Sequence, residues 1–295
     1  MFALKLRRDW IHGWLLLLPA MVFLFAFTHI PAITSLINSF YSTPRGRRPA
    51  KFLELSNYER MFDDPVFWKV LVNNLWFALG TIPLSIALAI AMALWVNSKL
   101  AGRGFVRMAY FTPTVLPLIA VANIWLFFYT PGFGLFDQVF SGLFGWSSSN
   151  WLGNPDTALN AIIVVTIWKE AGFFMIFYLA ALQSIPLSLI EAAQIEGAGR
   201  WTIFRRITFP LLMPTTLFVL INAVINSFRL VDHIFILTDG GPDNASSLLL
   251  FYIYEVAFRF WDTGYAATLT VALLVLLSAL AIGQFFLFDR KVHYK

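Results

Sequence analysis

The chain contains no cysteine, which excludes a disulfide framework, a thiol nucleophile and a Cys-ligated metal site. Charge is scarce as well. Asp, Glu, Lys and Arg make up 13% of 295 residues against 59% hydrophobic residues, a balance outside soluble globular composition and inside the multi-span membrane class. The four histidines, His12, His29, His233 and His293, are scattered, so neither a metal cluster nor a convergent catalytic constellation is expected. No G-x-x-x-x-G-K-[ST] phosphate loop occurs, and the chain is not expected to cradle ATP by that route. The net charge of +5 does not point to nucleic acid, because in a membrane chain the placement of Lys and Arg matters more than their sum.

What is present is a series of apolar runs. A membrane-crossing helix needs roughly 20 mainly apolar residues for a core of about 30 Å. Six stretches qualify: Leu15 to Ile37, Val70 to Val96, Met108 to Thr130, Ala158 to Leu182, Leu211 to Leu237, and Ala266 to Phe288. They lack the alternation of barrel strands. The basic start MFALKLRRDW is like that of a secretory leader, but the apolar part continues to Ile37 without an A-x-A-like cleavage site and reads as a retained first span. The expectation is an all-α polytopic membrane protein of six transmembrane helices, with residues 1–295 forming a single membrane domain. FWKVLV from Phe67 and FDQVFSGLFGW from Phe136 read as short interfacial helices.

Basic residues orient the spans. With the N-terminus cytoplasmic, the inner side holds Lys5, Arg7, Arg8, Lys99, Arg103, Arg107, Arg200, Arg205, Arg206, Arg290, Lys291 and Lys295, and the C-terminus is cytoplasmic too. The outer loop 131–157 has no Lys or Arg, and the loop 238–265 has Arg259 alone. One loop disagrees: Tyr41 to Lys69 carries Arg45, Arg47, Arg48, Lys51, Arg60 and Lys69.

The segment LIEAAQIEGAGRWTIFRRITFPLLMP, Leu189 to Pro214, is unusually polar for its surroundings. It reads as two short helices: Ser184 or Ser188 caps the first, Gly197 and Gly199 supply the turn, and the second ends at Pro210. The run Glu191, Ala192, Ala193, then Gly197 with Ala198, then Ile207 and Pro210, closely resembles the EAA loop of binding-protein-dependent ABC importer permeases. Glu196 and Phe209 stand where that family has Asp and Leu. LSNYERMFDDPVFWKVLVNN from Leu55, YLAALQSIP from Tyr178 and LTDGGPDNAS from Leu237 extend the resemblance over nearly the whole chain and narrow it to carbohydrate-type permeases, most like the first permease of a glycerol-phosphate or maltose-style pair.

The resemblance implies a coupling loop, residues 186–210, that docks on a cytoplasmic ABC ATPase dimer, where ATP and Mg are bound, so this chain is no enzyme and binds no cofactor. It also implies a second permease, an extracytoplasmic solute-binding protein and the bacterial inner membrane. The solute expected is a sugar, glycoside or polyol derivative, including an anionic one such as glycerol 3-phosphate. A secondary-active carrier that needs no ATPase is the alternative, though such carriers more often show inverted repeats.

Polar groups at membrane depth are costly and usually face a cavity or a partner. Asn222, Asn226, Arg229 and His233 recur at i, i+4, i+7 and i+11, with Asp232 in reach of Arg229. They read either as a polar stripe along the translocation path, with Trp168 and Phe173 offering apolar surface to a sugar ring, or as interhelical glue. Lys169 and Glu170 are path candidates that also neutralise each other. Asn73, Asn74 and Asn123 are further candidates.

Overall fold

Lipid offers the backbone no hydrogen bonds, so each long apolar run must close its own ladder as a helix. The computed structural model describes residues 2–98, 102–145 and 150–289, and every regular element among them is helical. Lys99, Arg290, Lys291, His293 and Lys295, named above for the basic rim or as histidine, lie outside the described residues, as do the side chains of Lys5, Arg7, Arg8 and His12. Five helices are long and apolar enough to cross a membrane, and six spans result when one bent helix pair is taken as a span. The chain divides into two compact units: the part up to Asp64 with Ile253–Val275, and Pro65–Tyr252 with the chain from Leu276 onward.

In the first unit, α1 (Phe2–Leu24) passes through a π-turn, Phe25–His29, into α2 (Ile30–Asn38). Pro31 has no N–H and its ring would press on the carbonyl four residues earlier; the wider i→i+5 pairing just before it gives that carbonyl room. No residue in the apolar window of Gly13–Asn38 is buried within the chain, so this helix presents its apolar side chains all round to lipid or to another protein. Beyond it a hairpin sets Tyr41 against Phe52, and α3 (Ser56–Asp63) follows. Side chains fasten this basic loop: Asn57 Nδ2 donates to the Ser39 and Tyr41 carbonyls at 2.9 and 3.1 Å, and Thr268 Oγ1 donates to the Ser39 carbonyl at 3.1 Å. Asp262 accepts from Thr43 Oγ1 at 2.6 Å and from Arg60 Nη1 at 2.7 Å, while the Arg60 guanidinium lies 4.1 Å from the Tyr265 ring centre.

The second unit is built on α4 (Pro65–Asn97), α5 (Arg103–Val115), α6 (Leu118–Tyr129), α7 (Leu135–Phe144) and α8 (Ala158–Ser184). There follow α9 (Leu187–Ile195), α10 (Arg200–Ile203), a π-turn at Phe204–Thr208, α11 (Phe209–Arg229) and α12 (Asp232–Leu237). α13 (Leu249–Tyr254) runs from this unit into the first, which holds a π-turn at Glu255–Arg259 and α14 (Thr263–Asp289) as far as Val275. One core gathers Phe77, Trp125, Ile162, Ile234 and Phe251; another gathers Ala93, Met175, Tyr178, Leu212 and Val219. Lipid is as apolar as these side chains, so close fit and polar cross-links hold the spans together more than burial does.

Several expectations need correction. The stretch Met108 to Thr130 is no single rod, because α5 and α6 meet at 101° across Leu116 and Pro117. The fifth stretch stops being one helix at Arg229, where Leu230 turns extended, and α12 restarts at Asp232. FWKVLV is part of the long α4, whereas α7 is the short helix expected near Phe136. The second helix of the polar loop does not end at Pro210. The π-turn Phe204–Thr208 precedes that proline as another precedes Pro31, and helical backbone continues from Arg200 to Arg229.

Candidate coupling loop and polar seam

The loop between α8 and α11 begins at Ile185 and Pro186, both extended. Pro186 occupies the cap position of α9, and neither expected serine caps it: the Ser184 hydroxyl turns back to the Ala181 carbonyl at 2.8 Å. The far end of α9 is closed by its backbone. Gly197 takes φ +79°, its N–H bonds to the Gln194 carbonyl at 3.0 Å, and the Ala198 N–H reaches the Ala193 carbonyl at 2.9 Å. That paired closure is a Schellman motif, and its left-handed position is why glycine stands there.

No residue of α9 is buried within the chain. Glu191 and Ala192 are exposed, Ala193 and Ala198 half-buried, and Gly197 exposed. Ile195, 88% exposed, and Trp201, 70% exposed, stand out of the same loop, two apolar side chains that the sequence reading did not single out. An aromatic two residues after a glycine turn in a charged loop is the signal that would have found Trp201. A groove of about 1000 Å³ runs between the end of α4, with Ile90 and Leu94, and the loop, with Ile190, Gln194, Trp201 and Phe204. Exposed apolar anchors beside a groove are what a docked partner covers. Ile207 lies half-buried inside the π-turn and Pro210 exposed in the first turn of α11.

The polar stripe is only partly a stripe. Asn222 bonds along its own helix to the Phe218 carbonyl at 2.8 Å, and Asn226 Nδ2 donates to Glu170 Oε2 at 3.2 Å. Arg229 is exposed at the end of α11, and because the helix breaks there Asp232 does not reach it: among the described residues no ion pair joins the two. His233 leaves the stripe altogether. It is 1% exposed, beside Thr166 and the Phe77 ring.

Lys169 and Glu170 attract each other electrostatically, and each also has hydrogen-bond partners of its own. Lys169 Nζ donates to the carbonyls of Leu116 at 2.8 Å and Pro113 at 3.0 Å, with Thr114 at a marginal 3.5 Å. These carbonyls sit at the α5–α6 bend. In an unbroken helix the Pro113 carbonyl would face Pro117, which has no N–H to give. Asn74 does not line open space: it is 0% exposed, donates to the Ser227 carbonyl at 3.1 Å and accepts the Leu249 N–H at 2.9 Å. Asn73 holds the turn that precedes α13 through the Asn244 and Ser247 carbonyls. Asn123 is exposed and bonds back to Ile119, Trp168 is exposed with its ring edge-on to Trp125, and Phe173 packs edge-on to Phe177. Among the described residues no group of His, Asp and Glu could hold a metal ion.

Helices of membrane-crossing length, with an exposed, glycine-closed loop between the fourth and fifth spans, define a polytopic membrane protein. Residues 81–294 match the family described as binding-protein-dependent transport system inner membrane component, and the chain belongs to that family. It is 35% identical over 289 residues to the lactose transport system permease protein of Rhizobium radiobacter, covering 96% of each chain. It is 34% identical to the sulfoquinovosyl glycerol transport system permease protein of Agrobacterium fabrum, covering 89% of this chain and 85% of that one. Its fold is that of a chain in the crystal structure of a bacterial ABC transporter involved in alginate import, with TM-score 0.86, 23% identity and 98% of both chains covered. The protein is thus a membrane permease subunit of an ABC importer, and nothing in these likenesses supports an ATPase-independent carrier.

Proposed function

We propose that this chain, acting as one permease domain over residues 1–295, pairs with a second permease and imports a sugar, glycoside or polyol derivative delivered by an extracytoplasmic binding protein. It works in the bacterial inner membrane with both termini cytoplasmic, and an ABC ATPase dimer carrying ATP and Mg docks at Glu191, Ala192, Ala193, Gly197 and Ala198. The observation that carries this reading is the exposed α9, joined through Ile207 and Pro210 to helical backbone that runs on to Arg229. A push on the loop therefore moves a span. Alternating access follows when ATP-driven closure favours one of two arrangements of the spans through contacts that differ between them.

The sugar class is supported by relatives of this chain that carry lactose and sulfoquinovosyl glycerol in their names. Arg229, exposed and not ion-paired to Asp232, favours an anionic derivative as a second reading. The test is reconstitution with the partner subunits: Glu191→Arg is expected to release the ATPase on purification and abolish ATP-driven uptake. Full uptake without any ATPase would overturn the proposal.

A further inference from the structure

Two adjacent residues of α8 reach in different directions. Lys169 holds the backbone at the α5–α6 bend through the Pro113 and Leu116 carbonyls, and Glu170 accepts from Asn226 of α11. One turn along α8, Gly172 removes the side chain where the helices come closest: a Cβ there would collide with the Tyr110 carbonyl of α5. The bent span is thus clasped to α8 by a close backbone approach and a side chain that answers carbonyls left over by the bend, while α8 is tied to the helix that begins in the loop at Arg200.

We propose that Lys169 and Glu170 form a transmission joint, in which Asn226 and Glu170 pass the displacement of α11 to α8 and Lys169 passes it to the α5–α6 bend. Both are positioning residues: neither needs to touch the solute. A lysine suits the task because it carries three donors and no acceptor, so one side chain serves several carbonyls that have no N–H of their own. The bend is then an arrangement held from outside its own helix, and it changes when its holder moves. This inference rests on the importer reading above for its link to ATP.

The test uses the complete importer in proteoliposomes, with solute uptake and ATP hydrolysis measured together. Lys169→Met keeps an unbranched side chain one atom shorter and without donors. It is expected to lower uptake about tenfold, within the range seen for coupling residues, while ATP hydrolysis stays within about twofold and Lys169→Arg restores most of the uptake. Combined with Asn226→Leu, it is expected to cause no loss beyond the worse single change, because both act on one chain of contacts. The native chain has no cysteine, so spin labels at Met108→Cys and Ile124→Cys report the bend directly, and Lys169→Met is expected to broaden their distance distribution. Undiminished uptake, multiplying losses in the double variant, or an unchanged distance distribution would each overturn the joint. Should Lys169→Met fail to assemble, Lys169→Leu, which also lacks donors, is read by the same assays with the same expected loss, and undiminished uptake overturns the joint there too. A native complex that takes up no solute with ATP strikes the importer reading instead, and the spin-label distance still decides the joint.

Discussion

Replacing Asn74 with leucine separates a structural asparagine from one that lines the path. The side chain is buried and makes two bonds to backbone groups, giving an N–H to the Ser227 carbonyl and taking the Leu249 N–H. Leucine has nearly the same volume and neither function, so Asn74→Leu leaves one buried acceptor and one buried donor without partners. Each such orphan costs about 1–3 kcal/mol in water-soluble cores, and hydrogen bonds measured inside membrane bundles average less, about 0.6 kcal/mol. Two together give about 1–4 kcal/mol here, or a fall of about 2–8 °C in Tm at roughly 2 °C per kcal/mol for a chain of this size. The measurement is thermal unfolding of the purified subunit in detergent, followed by tryptophan fluorescence. Asn74→Asp, which still accepts from Leu249 but cannot donate to Ser227 when ionised, is expected to be destabilised as well. A Tm within about 1 °C of the native value for Asn74→Leu, with uptake impaired, would refute the structural account and return Asn74 to the path.

Gly197→Val forces a β-branched residue into the left-handed region at a cost of about 1–2 kcal/mol; binding of the cognate ATPase is expected to weaken about tenfold, read by titration into proteoliposomes. For Asp262, burial by itself raises the carboxyl pKa, but hydrogen bonds from Thr43, Arg60 and the Tyr265 N–H, with the Arg60 charge, outweigh it and hold the group below the usual range. A pKa lower in the folded state means stability that is present above the unfolded value, near 4, and lost as pH falls through the folded one. Asp262→Asn is therefore expected to lower Tm at pH 7 by a margin that shrinks at acid pH, and a margin constant down to about pH 3 would contradict this. Arg229→Ala is expected to raise the KM for an anionic solute about tenfold while leaving a neutral sugar unaffected, as radiolabelled uptake would show.

The apolar runs were legible because lipid leaves a chain of this composition few ways to satisfy its backbone, and Gly197 was legible because a left-handed helix end nearly demands glycine. The breaks were not. Pro83 and Pro214 lie within unbroken helices, whereas Pro117 sits at a 101° bend. Proline alone does not decide the matter; at Pro117 the freed carbonyls find a donor in Lys169, 53 residues from the Leu116 carbonyl it serves. Asn74 misled for a related reason, since an amide in an apolar run invites a solute until its partners at Ser227 and Leu249 are known. The spacing of Asn222, Asn226 and Arg229 was correctly helical, but its extension to His233 assumed a helix that stops at Arg229.

The π-turn at Phe204–Thr208 also sets an angle. Successive residues of an α-helix are turned by about 100°, so one residue more or less in that turn rotates everything beyond it by that amount relative to the loop. Trp201 on one side and Asn226 on the other are geared together through this single extra residue. Deleting one residue there would leave composition and apolar length almost untouched, yet would swing Asn226 away from Glu170 while the loop kept its own heading.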